Sequence, residues 1–241
     1  MSSQARTVSL KPPQGAIRTT DNKNDNLWRC QNSLSLTCTY HGDDIEVPCG
    51  RWRNCKPCAR RLQHRLRQRF LAGIAEVPQG RQAMFLTLTF SGQDAPDEDE
   101  AQRCWRSLTR RLRYRDLLGE YGFVLQRTKR GTLHFHGIAH MPWMDDDLAE
   151  WRALLTASGF GVQNKLVVAE PSHAGYVTRY ISARLADLAP LRRAYGFSRS
   201  FPQPEAVKER RQAEELLADL GAKPECHWEL SRVVVGLLRR S

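Results

Sequence analysis

Two histidines, His134 and His136, flank Phe135 in the run GTLHFHG. On a strand, alternate side chains share a face. The two imidazoles then stand about 7 Å apart on one side, while Leu133 and Phe135 take the other. Such a pair can reach one divalent cation. Two hydrogen-bonded histidines on the polar side of a half-buried strand would leave the same pattern. Tyr176 and Tyr180 are four residues apart in HAGYVTRYISARL, with His173 just before them and Arg179 and Arg184 nearby. On a helix these side chains share a face. A tyrosine hydroxyl can act as a covalent nucleophile, and toward a phosphate it needs positive charge close by. Two amphipathic core tyrosines are the plain alternative. The third group is made of cysteines. Cys55 and Cys58 form a C-x₂-C knuckle, and Cys49 and Cys38 complete a Cys₄ set suited to tetrahedral zinc. Cys30 competes for the fourth position, as do His41 and His64, and free loop thiols are the alternative to a metal. Cys104 and Cys226 stand apart from the cluster.

These residues need particular elements to hold them. Residues 84–90, MFLTLTF, read as a buried strand, and SGQDAPDEDE then supplies acidic residues for a helix start. A helix at 101–118 turns Trp105, Leu108 and Leu112 inward. Strands follow near 122–125 and 133–139, with QRTKRG as the turn between them. A helix at 145–157, a strand at 162–169 and a helix at 173–188 capped by Ser172 complete the set. The order is strand, helix, hairpin, helix, strand, helix. It predicts an α+β fold, an antiparallel sheet with helices packed on it, on one face. Upstream, Leu62, Leu66, Phe70 and Ile74 recur every fourth residue and mark a helix with one apolar stripe. Downstream of Pro190 a helix at 205–219 and a strand at 226–237 are expected.

Charge narrows the partner. The chain of 241 residues has 37 Lys plus Arg against 26 Asp plus Glu, a net charge of +11. That surplus favours a polyanion. No Asp or Glu lies between residues 51 and 75, so helical ion pairs cannot account for Arg60, Arg61, Arg65, Arg67 and Arg69. Arg103, Arg106, Arg110, Arg111, Arg113 and Arg115 crowd a second helix. The DNA-contact candidates are Arg60, Arg61, Arg65, Arg69, Arg110, Arg111, Lys129 and Arg130, with solvated helix faces as the bland reading. Trp28, Tyr40 and Trp52 are either stacking platforms for bases or local packing. No apolar run is long enough to span a bilayer, and the N-terminal stretch has no apolar core. A cytoplasmic chain is expected, where clustered cysteines more often bind metal than pair. Neither GxxxxGK[ST] nor GxGxxG occurs, so a nucleotide cofactor has no signal.

Taken in order, FLTLTF, GTLHFHG and YVTRY resemble the three motifs of the His-hydrophobe-His rolling-circle replication initiators of small phages and plasmids, in their two-tyrosine form. PCGRWRNCKPCARR resembles the zinc segment that precedes the nuclease core in many bacterial members. The similarity spans about residues 30–185. It implies that LTLTF is a core strand without chemistry, and that His134 and His136 bind Mg²⁺ or Mn²⁺. It implies that Tyr176 and Tyr180 are the nucleophiles, with Tyr176 first. Relatives commonly have Lys between the tyrosines, where this chain has Arg179, and Arg does not readily give up a proton. Many have Glu before the His pair, where this chain offers Gln126 as third ligand; Glu120 and His173 are the alternatives. The implied reaction is nicking and joining of single-stranded DNA at a replication origin, through a 5′-phosphotyrosine. A relaxase or single-strand transposase shares this chemistry, and a non-catalytic zinc-containing nucleic-acid-binding protein is the reading from another class.

The expected organisation is a polar arm at 1–27, a zinc segment and basic helix at 28–75, a nuclease core at 82–188 and an extension at 189–241. Whether that extension meets DNA, a host helicase or another subunit stays open.

Overall fold

The computed structural model describes residues 30, 33–38, 44–90, 96–128, 131–142, 148–161, 164–179, 181, 191–209 and 228–233; at 34–38, 44–47, 148 and 228–233 it describes the backbone alone. Tyr180, Arg184, Lys129, Arg130, Trp28, Tyr40, His41, Cys226, the arm at 1–27 and most of the helix expected at 205–219 lie outside the described residues. The elements run β1 (Leu34–Cys38), β2 (Asp44–Val47), α1 (Lys56–Ala75), β3 (Gln82–Thr89), α2 (Glu98–Tyr114) and β4 (Tyr121–Arg127). They continue with β5 (Leu133–Met141), α3 (Leu148–Ala157), β6 (Lys165–Val168), α4 (Pro171–Thr178), β7 (Tyr195–Phe197) and β8 (Trp228–Val233).

The main sheet is antiparallel, in the order β6-β3-β5-β4-β7. The α+β expectation and the element order hold, with two local differences. Gln126 and Arg127 lie inside β4 rather than in a turn. β7, in a segment whose Arg and Pro content hides any alternation, closes the sheet beside β4. A smaller sheet, β2-β1-β8, is built partly from the cysteine-rich segment, where no strand was expected.

Helices cover both faces of the main sheet, not one. Trp105 of α2 stacks on Phe135 at 5.1 Å and meets Phe123 at 4.9 Å. Phe160, just after α3, meets Phe135 at 6.1 Å. Phe135 is thus caged on the α2–α3 side, and strand alternation sends His134 and His136 to the other. A one-residue slip of β5 would exchange them, so this aromatic cage fixes the register the histidines need. The opposite face receives α1 and α4. Buried His140 bonds through Nε2 to the Gly73 carbonyl of α1 at 2.6 Å. It is a third histidine on the same face of β5, used to dock a helix. Leu62, Leu66 and Phe70 of α1 are buried in the same core as the strands.

Helix ends follow local chemistry. The Asp97 side chain accepts the Glu100 N–H at 2.7 Å and caps α2. At α4 the cap position is Glu170 and Pro171 opens the helix, two residues before the Ser172 start expected.

Candidate active site and metal centre

The site lies on the α1–α4 face, around β5. His134 and His136 have ring centroids 4.5 Å apart at 86°, closer than their backbone spacing, so the rings lean together. His136 is 2% exposed. Burial, and then the neighbouring His134, push its pKa down to about 3. The neutral imidazole is the form that binds a metal. Directly across from it on β3, the Thr87 hydroxyl lies 3.0 Å from His136 Nδ1. With that hydroxyl accepting from Nδ1–H, Nε2 keeps its lone pair for a cation, the usual arrangement around a metal-bound histidine.

Gln126 of β4 pairs with His134 across the strands and is 2% exposed. Its amide N–H donates to the Val177 carbonyl of α4 at 2.9 Å, so Gln126 also ties the tyrosine helix to the histidine strand. Its Oε1 is buried with no hydrogen-bond partner among the described residues. Two imidazoles and an unsatisfied amide oxygen fit a hard divalent cation, though weakly, because none carries charge. The two alternatives fare differently. Glu120 sits at the far end of β4, where its carbonyl accepts from the His140 N–H. His173 is close, but its Nδ1 accepts the Glu170 N–H at 2.9 Å. A neutral ring then carries its proton on Nε2 and has no lone pair there for a metal.

Tyr176 completes the group. Its ring lies edge-on to His136 at 5.0 Å and to Phe85 at 5.7 Å, and the residue is 39% exposed. The Phe85 ring is the floor of the site. His173 stacks on it at 4.4 Å and Lys165 Nζ stands 5.9 Å from its centre. Arg179 holds its guanidinium 5.8 Å from the Tyr176 ring. Arg67 of α1 approaches the adjacent Gly175, whose Cβ, if present, would lie 4.0 Å from Arg67 Nε. A hydroxyl beside neutral metal-type ligands, with cations on three elements around it, suits attack on a phosphate diester. Thr87, Lys165 and Arg67 were missed as site residues. The alternation Phe85, Thr87, Thr89 was the available signal for Thr87, since every other residue of β3 faces β5's histidines.

The DNA-contact candidates divide. Arg60, Arg61 and Arg65 lie on α1, on the site's face of the sheet. Arg69 turns inward instead, with its guanidinium 4.0 Å from the Phe197 ring. Arg110 and Arg111 are exposed on α2, behind the sheet.

The cysteine cluster is separate. The Sγ atoms of Cys30, Cys49, Cys55 and Cys58 all lie within 4.8 Å of one another. Cys30–Cys55 and Cys49–Cys58 are 3.7 and 3.5 Å apart. Tetrahedral zinc with bonds of about 2.3 Å sets sulfurs about 3.8 Å apart, so the four can bind a metal ion such as zinc. Cys30 takes the fourth position where Cys38 was expected. Cys38 ends β1, and its side chain lies outside the described residues. Gly50, at φ 68°, turns the chain between Cys49 and Cys55 without a Cβ penalty. Cys55 then sits at the N-cap of α1, with Cys58 one turn on. Burial pushes both of these thiols up. Trp52 resolves toward packing: it meets Tyr195 at 6.1 Å and lies under Arg53, whose guanidinium also bonds the Leu191 and Arg192 carbonyls. Among the described residues, the cysteines are the only group of three or more His, Cys, Asp or Glu ligands. Cys104 is half-buried against the core, and no helix among the described residues is long and apolar enough to cross a membrane.

Neither a curated protein nor a solved structure matches the chain. Residues 83–185, which hold every member of the His–Tyr cluster except Arg67, match the family model of the replication-associated protein ORF2, a likeness consistent with an initiator of rolling-circle replication.

Proposed function

We propose that the protein nicks and rejoins single-stranded DNA at a replication origin, through a 5′-phosphotyrosine, to start rolling-circle replication. The observation that carries this reading is the exposed Tyr176 hydroxyl-bearing ring beside His136, on a helix fastened to the histidine strand by Gln126. His134, His136 and the Gln126 carbonyl oxygen are the residues to hold Mg²⁺ or Mn²⁺. When bound, such a cation withdraws electrons from a non-bridging oxygen of the scissile phosphate. Tyr176 loses its proton and its oxygen bonds to phosphorus. The bond from phosphorus to the 3′ oxygen breaks, and that oxygen takes up a proton to leave a 3′-OH. Arg179, Lys165 and Arg67 offset the negative charge of the phosphate as it is attacked. The phosphotyrosine conserves the bond energy, so a 3′-OH can reverse the step without a nucleotide. Tyr180 is the second nucleophile in this reading and serves the second cut. The cysteine cluster holds zinc as a structural ion.

The test incubates the protein with end-labelled single-stranded origin DNA and Mn²⁺. A slowly migrating covalent adduct is expected. Binding without an adduct, or an adduct that persists when Tyr176 and Tyr180 are both Phe, overturns the mechanism.

A further inference from the structure

The basic helix α2 has no route to the Tyr176 site. Trp105, Leu108 and Leu112 bury it against the Phe123–Phe135 face of the sheet, and His134 and His136 leave from the other face. Yet its outer face is built for a polyanion. Arg103, Arg106 and Arg110 are exposed, form no ion pair among the described residues and line one shallow surface depression with Ser107. One turn further stands Tyr114, 91% exposed. The acidic first turn does not neutralise this stripe, because the Glu98 carboxylate is held by the backbone N–H groups of Arg192 and Arg193, at 2.9 and 2.7 Å. The Arg193 guanidinium lies on the same side, 5.9 Å from the Phe123 ring centre.

We propose that this face of α2 is a second DNA site, for the backbone of duplex DNA. The stripe from Arg103 to Tyr114 is straight and about 16 Å long, at 1.5 Å per residue. A duplex presents about one phosphate charge per 1.7 Å of axis, so about ten charges lie along such a length. The face is convex and carries one exposed aromatic. Single-strand sites instead use grooves with successive stacking rings. Arginine and tyrosine side chains are ordinary phosphate ligands, which position a protein without reading sequence. Resting on the nicking reading, the duplex held here is the one that flanks the cut strand, gripped from behind the sheet.

The test uses the full chain with Arg103→Gln, Arg106→Gln and Arg110→Gln combined, and separately Tyr114→Ala. Fluorescence anisotropy follows a labelled blunt duplex across a salt series, and a short single-stranded oligonucleotide in parallel. Adduct yield on that oligonucleotide is the third readout. Loss of three phosphate contacts should reduce the slope of log K against log salt by about 2.7, and lower duplex affinity about tenfold or more at low salt. Tyr114→Ala should weaken the duplex complex further. Single-strand binding and adduct yield should not change. An unchanged slope, or equal losses on duplex and single strand, overturns the proposal. If the unsubstituted protein forms no adduct, the nicking reading fails, while the duplex arm still decides for or against this site.

Discussion

The ring of Tyr176 stands edge-on to the ring of His136, their centroids 5.0 Å apart and their planes at 87°. One residue comes from α4 and the other from β5, and the Gln126 bond to the Val177 carbonyl fastens the two elements together at that point. The relation brings a hydroxyl nucleophile and a neutral imidazole to one phosphate-sized space. Each prediction below disturbs one part of it or of its support.

Thr87→Val removes the hydroxyl from His136 Nδ1 and leaves the strand intact, since Val suits a β position. Mn²⁺ affinity should fall about 10- to 100-fold. Calorimetric titration with Mn²⁺ measures it, and an unchanged affinity denies Thr87 its orienting role.

Gln126→Glu should raise Mn²⁺ affinity in the absence of DNA, because a carboxylate replaces the only oxygen of an uncharged ligand set. Gln126→Ala should instead cost about 1–3 kcal/mol of stability, by stripping the buried Val177 carbonyl of its donor. Metal titration and urea unfolding separate the two effects. Weaker Mn²⁺ binding by the Glu variant would place Gln126 outside the cation's reach.

Cys30→Ser should release zinc and lower the melting temperature, while Cys38→Ser should keep the metal. Elemental analysis after dialysis reads both. Zinc lost on changing Cys38 but kept on changing Cys30 would restore the set expected from spacing.

Gly137→Ala places a methyl 2.6 Å from the Gly122 carbonyl oxygen of the neighbouring strand. The strands must part beside His136, and the cost should be about 1–3 kcal/mol. That lowers the melting temperature by about 2–4 °C for each kcal/mol. Thermal unfolding that matches the unsubstituted protein would show that the close approach is not needed.

Much of this site was legible before any coordinates. His134, His136 and Tyr176 follow from period-two and period-four spacing, and those periods survive folding because each residue's element is short and regular. What spacing cannot carry is the choice of partner across the sheet. Thr87 and Lys165 enter the site through pairing of β3 with β5 and β6, more than forty residues from the histidine in one case. The fourth cysteine was misassigned for a related reason. Cys38 completes the shorter span, but β1 pairing sets the backbone there, and Cys30 is the thiol that reaches Cys55. The arginines of α2 read as part of the same grip as those of α1. Only the side on which Trp105 packs reveals that they face away.

The most direct measurement is the site of covalent attachment. The protein is incubated with single-stranded origin DNA and Mn²⁺, trimmed with nuclease, digested with trypsin and analysed by mass spectrometry. Cleavage after Lys165 and Arg179 yields a peptide, residues 166–179, with Tyr176 as its sole tyrosine, and separates it from Tyr180. The account predicts a nucleotide on the 166–179 peptide, lost in Tyr176→Phe. An absent adduct, or one found only on another peptide, contradicts it.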